Sequence, residues 1–264
     1  MRAFACGSAI SLTLSAVAAG AAAPPQRVAS LNLCTDELLL LLAAPKQIMS
    51  VSYLSQLSEE TPLWSRARAY RRNDGSLLSV AGMKPDLVLT MGGGGDRAGV
   101  AGRLGAKLIV LPYPAGIADV EAATMKVAAA LGREARGRRL VEAIEQVHRT
   151  APPRPLDAVY LAGGGRSVAA TGTAAEWMAA AGLRQRRLVG DRADLETLLV
   201  RPPSVLLRSS YRSDQFSAEQ RWLSHPLARR VRAARTLNAD GRVWTCMGPL
   251  MVPEVLRLRR ALGR

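Results

Sequence analysis

Pro85-Asp86-Leu87-Val88-Leu89-Thr90 and, in the second half of the chain, Pro203-Ser204-Val205-Leu206-Leu207 are two short apolar runs. Each is introduced by a basic residue and proline, Lys84-Pro85 in one and Arg201-Pro202-Pro203 in the other. The residue before a proline is pushed out of the α region, so a helix stops there and an extended segment can begin. The repetition predicts a chain built from two similar halves. Between them residues 133–149 read as an amphipathic helix, with Leu140, Val141, Ile144 and Val147 forming an apolar stripe and Glu134/Arg138 and Glu145/Arg149 at four-residue spacing. A helix of about 17 residues spans roughly 25 Å at 1.5 Å per residue, enough to bridge two lobes without letting them swing freely. The fold class expected is therefore α/β, with two Rossmann-like lobes, each on a parallel sheet, joined by a single long helix. Such a molecule is a ligand clamp.

Outward from these runs, the first half reads as strand 27–31, the polar turn Asn32-Leu33-Cys34-Thr35-Asp36, a buried helix over 37–44 closed by Pro45, and strand 48–52. Residues 53–76, with Tyr53, Tyr70 and Arg72 among them, read as a long functional loop. A helix over 77–83 leads into strand 86–91, which runs into Gly92-Gly93-Gly94-Gly95-Asp96-Arg97, and a further helix precedes strand 107–111. The second half repeats the scheme: strand 157–162, the loop Gly163-Gly164-Gly165-Arg166, helices over 174–181 and 195–200, strand 205–208, and the polar loop Ser209-Ser210-Tyr211-Arg212-Ser213. The last strand is placed at 242–246, with Trp244 in it. Recurring strand-helix-strand order implies parallel sheets with right-handed crossovers, and ligands to such sheets bind at the carboxyl ends of the strands. The loops after Leu31, Ser52 and Met91 should then face those after Ala162, Arg208 and Cys246 across one cleft.

At 264 residues the chain can bury two cores. The boundaries read are 1–22 for a signal peptide, 23–132 for an N-terminal lobe, 133–150 for the linker helix and 151–264 for a C-terminal lobe. Met1-Arg2, the apolar stretch over 9–19 and the small residues over 18–23 have the order of a cleaved secretory signal, which places the mature protein in the periplasm. Export changes how cysteine reads. The mature chain keeps Cys34 and Cys246, an even number where disulfides persist, and the two form either a disulfide or a pair of buried thiols.

The formal charge of +15 is spread over both halves, whereas a nucleic-acid binder would gather it on one face or in a basic arm. No nucleic-acid partner is expected. His148 and His225 stand alone and no Cys-x-x-Cys spacing occurs, so no metal site is expected. No Gly-x-Ser-x-Gly elbow occurs and neither histidine lies at a strand end, so no catalytic residues are assigned. The glycine runs lack phosphate-loop spacing and read as places where a bulky ligand or the opposite lobe approaches closely. Tyr53, Tyr70, Tyr160, Tyr211 and Trp244 near strand ends are read as ligand contacts. An alternative reading is a secreted α/β hydrolase using the same cleft, and a further one a metal-ion binder or metallochaperone.

Residues 27–36 (RVASLNLCTD), 77–90 (LLSVAGMKPDLVLT), 105–111 (GAKLIVL) and 176–183 (EWMAAAGL) resemble the periplasmic substrate-binding proteins of iron-complex and vitamin B12 ABC importers. The resemblance covers nearly all of the mature chain. It implies two α/β lobes on one long helix that move little on binding, no catalysis and no intrinsic cofactor. It also implies a ferric siderophore, haem or corrinoid in the cleft, a monomer, and delivery to an inner-membrane permease. Arg72, Arg97, Arg166 and Arg212 suit carboxylate or catecholate oxygens through bidentate pairing, which favours an anionic iron chelate or haem. The candidate ligand set is Asn32, Tyr53, Tyr70, Arg72, Gly93, Gly94, Arg97, Arg166, Tyr211, Arg212 and Trp244. In the family a glutamate on each lobe docks on the permease. Glu196 matches in the second lobe, whereas the first has Leu78 there, which moves that contact to Asp74 or to Glu59-Glu60.

Overall fold

The computed structural model describes residues 23–92, 99–211, 221 and 225–264. The signal-peptide segment 1–22, together with Gly93, Gly94, Arg97 and Arg212, lies outside the described residues. The first lobe runs β1 (Val28–Ser30), α1 (Leu33–Leu42), β2 (Ile48–Ser52), α2 (Trp64–Ala67), β3 (Arg71–Asn73), α3 (Leu77–Ala81), β4 (Leu87–Met91), α4 (Val100–Arg103) and β5 (Lys107–Leu111). Its five strands lie in the order β3-β2-β1-β4-β5, all parallel. After α5 (Ile117–Ala130) and α6 (Glu134–Arg149) comes the second lobe. It comprises β6 (Leu156–Leu161), α7 (Thr173–Ala180), β7 (Leu183–Gln185), α8 (Leu195–Val200), β8 (Val205–Ser209), α9 (Pro226–Arg230), β9 (Arg235–Ala239), α10 (Val243–Cys246) and α11 (Met251–Leu262). Four parallel strands order as β7-β6-β8-β9. The expected pair of parallel-sheet α/β lobes is the observed fold.

The Lys84-Pro85-Asp86 step has a specific use. Asp86 accepts hydrogen bonds from the N–H groups of Gln26 and Arg27, at 2.8 and 3.1 Å, and the Arg27 guanidinium donates back to the carbonyls of Met83 and Lys84. The turn that ends α3 therefore fixes the start of β1 beside β4.

The helix read between the lobes is α6, and it does not act alone. α5 starts in the core of the second lobe through Ile117 and Val120 and ends in that of the first through Val127, Ala128 and Leu131. α6 returns, with Leu140 against the first core and Ile144 and Val147 in the second. The spine is thus a helical hairpin whose halves close on Gly137: a Cβ there would stand 2.5 Å from the Ala128 Cβ. Gly137→Leu should cost about 1–3 kcal/mol through overpacking, read as a shifted denaturation midpoint at unchanged slope. A loss below a few tenths would mean that the hairpin is loosely packed.

Four assignments change. The long loop over 53–76 contains α2 and the edge strand β3. The last strand is β9 (Arg235–Ala239), not residues 242–246, which form the short helix α10. Val243, Trp244 and Cys246 all turn into the protein from that helix, so their β-favouring character was overridden by packing. The polar sequence of β9 had hidden an exposed edge strand. β7, three residues long, has no counterpart in the sequence reading, and α1 starts at Leu33, so Cys34, Thr35 and Asp36 of the expected polar turn lie in the helix.

Candidate functional site in the interlobe cleft

Three contacts hold the carboxyl ends of the two sheets against each other. Cys34, in the first turn of α1 after β1, is disulfide-bonded to Cys246 at the end of α10, with Cα atoms 5.2 Å apart across a sequence separation of 212. The Tyr211 hydroxyl, after β8, donates to Glu60 Oε2, after β2, at 2.7 Å. The Arg242 guanidinium, after β9, donates to the Ser58 carbonyl at 3.0 Å. Where the chain first leaves β5 for the second lobe, Thr173 Oγ1 donates to the Pro114 carbonyl and the Ile117 N–H donates to Glu176. That gives Glu176 of the EWMAAAGL stretch its role, while Trp177 Nε1 donates to the Met247 carbonyl at 2.9 Å.

The floor of this cleft carries two buried acids. Asp36 and Glu37, adjacent on α1, are both buried. Asp36 accepts from the N–H and hydroxyl of Ser52, and Glu37 accepts from Thr61 Oγ1 at 2.7 Å. Removal from water disfavours the charged form of a carboxyl. Burial pushes Asp36 up to about 7 against its serine hydrogen bonds. Burial likewise pushes Glu37 up to about 8, against the Thr61 bond and with the charges of Asp36 and Asp240 adding. Asp240 goes the other way: burial acts upward, but the Arg242 guanidinium, 2.7 and 2.8 Å from its oxygens, outweighs it and lowers the carboxyl. A cavity of about 20 Å³, of the size that holds one water, lies between the lobes and is lined by Cys34, Glu37, Met91, Pro114, Val120 and Cys246 among others.

Of the residues read from the sequence, Cys34 and Cys246 meet each other and Tyr211 meets Glu60. Tyr53, at the end of β2, is 47% exposed, and Arg166, in the loop after β6, is exposed. Arg72 is exposed on the edge strand β3. Asn32 caps α1, its Oδ1 accepting from the Thr35 N–H and its Nδ2 donating to the Met91 carbonyl, so its polar atoms tie β1 to β4. Tyr70 packs on the first lobe's core. Trp244 and Tyr160, 6% and 5% exposed in the second core with ring centroids 5.0 Å apart, both have the surroundings of core residues. Glu60 is 3% exposed and bonded to Tyr211, which removes it as a docking residue on the outer surface.

Sequence reasoning missed Asp36, Glu37, Asp240, Arg242 and Tyr113, and gave Glu60 a different role. The signal for the first two was two acids opening an otherwise unbroken leucine helix, LCTDELLLLL. Tyr113 sits between two prolines after β5 and is 71% exposed; its ring would stand 2.6 Å from a Cβ on Gly92, whose φ of +80° is what favours glycine there. Neither histidine approaches the cleft floor in a base-like role: His148 is exposed on α6, and His225 Nδ1 accepts from the Leu227 N–H at the start of α9.

No family model and no curated protein matches this sequence. Solved structures do match. The periplasmic heme binding protein HutB of Vibrio cholerae superposes with a TM-score of 0.72 at 15% identity, over 90% of this chain and 98% of that one. The siderophore binding protein BauB, bound to ferric iron and two molecules of acinetobactin, gives 0.69 at 19% identity over 90% and 94%. The periplasmic vitamin B12 binding protein BtuF of Vibrio cholerae gives 0.63 at 14% identity over 91% and 97%. These neighbours are binding proteins and not enzymes, and nothing among them favours a hydrolase. Two parallel-sheet lobes on a helical spine, matched along nearly the whole length of each neighbour, give this chain the fold of the periplasmic haem-, siderophore- and vitamin B12-binding proteins.

Proposed function

We propose that this protein is the periplasmic solute-binding component of an ABC importer. It captures a haem, ferric siderophore or corrinoid between its lobes and delivers the complex to a permease as a monomer exported by the 1–22 signal. The observation that carries this reading is the meeting of strand ends from two parallel sheets in one cleft, on a fold shared end to end with proteins that bind haem, vitamin B12 or a ferric siderophore. Tyr53, Tyr113, Arg166 and Tyr211 are the described side chains placed to meet a ligand, with Arg72 nearby on the edge strand. Native mass spectrometry of protein purified from its own periplasm tests the reading, since a co-purifying iron or cobalt complex identifies the class. If haemin, cyanocobalamin and a ferric catecholate all fail to bind the purified protein, the reading falls.

Docking falls to the two short helices that precede β4 and β8. They share one pattern: Ser76-Leu77-Leu78-Ser79 opens α3 and Asp194-Leu195-Glu196-Thr197 opens α8, each capped by the side chain of its first residue. Glu196 is exposed and Leu78 is 76% exposed at the matching position. Asp74, fully exposed before α3, is the remaining acidic candidate in the first lobe beside Glu59. Glu196→Arg should impair uptake in cells at least tenfold while leaving ligand affinity unchanged. Equal loss of affinity would move Glu196 into the binding site.

A further inference from the structure

The bond between Cys34 and Cys246 lies in surroundings that a purely structural cross-link does not need. Cys34 is the second residue of α1, a ten-residue helix capped by Asn32, and the unpaired N–H groups of a helix's first turn favour a thiolate there. Glu37, one turn further along the same helix face, lines the same cavity as both cysteines. The groups facing its carboxyl are Thr61 from the segment before α2, Asp36 on α1 itself, and Asp240 with its partner Arg242 from the loop after β9. Burial pushes Glu37 up to about 8, so at neutral pH it carries a proton into the cavity that both cysteines line.

We propose that Cys34–Cys246 is a reducible clamp on the cleft: a dithiol reductant opens it in the folded protein, Glu37 protonates the departing sulfur, and the lobes then part to release the ligand. The release step rests on the function proposed above; cleavage and opening do not. A thiolate of the reductant attacks Sγ of Cys34, the half-buried partner, forming a mixed disulfide. The original S–S bond breaks, and Cys246, 7% exposed, leaves with the bonding pair and takes the proton of Glu37. The reductant's second thiol gives its proton to Glu37 and displaces Cys34, which departs as a thiolate at the first turn of α1 and is protonated from solvent. Two electrons pass to the protein, and the reductant ends as a disulfide. The Tyr211–Glu60 and Arg242–Ser58 hydrogen bonds then lose the covalent tie beside them and break as the lobes part.

Dithiothreitol added to the folded, oxidised full chain tests this, with thiols counted by alkylation and mass spectrometry. The expected result is two thiols gained at a rate proportional to dithiothreitol, unchanged far-UV circular dichroism, and a radius of gyration that rises by scattering. Glu37→Gln should slow the reaction at least tenfold at pH 7. In the wild type the rate per reductant thiolate should fall by a similar factor between pH 7 and 9, a readout that stands even where the variant fails to fold. A rate that is independent of dithiothreitol and equal to the unfolding rate overturns the proposal, as does a flat rate per thiolate or an unchanged radius. A haemin-loaded sample should lose haemin on reduction. Failure of the oxidised protein to bind haemin, ferric catecholate or cyanocobalamin counts against the proposed function, whereas the ligand-free measurements decide the clamp.

Discussion

Replacing both cysteines, Cys34→Ser with Cys246→Ser, should lower stability by about 5 kcal/mol, because in the chain-entropy model a cross-link is worth more the longer the loop it closes. The bridge closes a loop of sequence separation 212, so the unfolded chain regains a large set of conformations when it is removed. At a domain of this size that corresponds to a fall in melting temperature of about 10 °C. The native state loses something further, since the bond ties α1 of one lobe to α10 of the other. Scanning calorimetry of the mature double variant gives the number. Thiol titration of the unfolded, unreduced wild type gives the premise: two free thiols would remove the bridge, and a melting shift under about 2 °C would show that it contributes little to the fold.

The second large effect concerns Glu37 and runs with pH. Its carboxyl sits at about 8 in the folded protein against 4.5 for the ordinary group, with burial the main cause. The folded state therefore holds a proton that the unfolded state has already lost across that interval, and a state binding more protons is weakened as pH rises. Stability from this group is fully present below about pH 4.5 and is lost as pH climbs to about 8, by an amount on the order of 5 kcal/mol at roughly 1.4 kcal/mol per unit. Asp36, raised to about 7 by the same burial, acts in the same direction. Glu37→Gln keeps the volume and the acceptor for Thr61 but cannot ionise. Urea denaturation of the two proteins from pH 4 to 9 should give curves that coincide at the acid end and separate steadily until pH 8, with the variant the more stable. Parallel curves would mean that water reaches Glu37 in the folded protein.

How much of this was legible in the sequence varied with how local the cause was. The Lys84-Pro85 and Arg201-Pro202-Pro203 steps, the leucine helix read over 37–44 and the stripe through Leu140, Ile144 and Val147 all act within a turn or two of chain. Propensity and hydrophobic period fix such elements, and the parallel-sheet lobes followed from their alternation. β9 and residues 242–246 went the other way. Arg235–Ala239 is a polar edge strand with one face open, and 242–246 is β-like in composition, so only the competition for a place beside β8 could decide which became the strand.

The site shows the same division. The sequence alone determined which residue types would gather at strand ends, and placed Cys34, Tyr53, Arg166 and Tyr211 there. What only the tertiary structure decided was pairing and burial. Asn32 and Trp244 are polar or aromatic residues near strand ends like the others, yet one is consumed in capping α1 and the other lies in a core. Glu60 reads as a surface acid until Tyr211, 151 residues away, covers it. Glu37 is an unremarkable carboxylate on a helix until Thr61, Asp240 and the disulfide enclose it. Desolvation and long-range pairing depend on which surfaces meet, and no spacing along the chain encodes the meeting of two lobes through a spine that crosses between them.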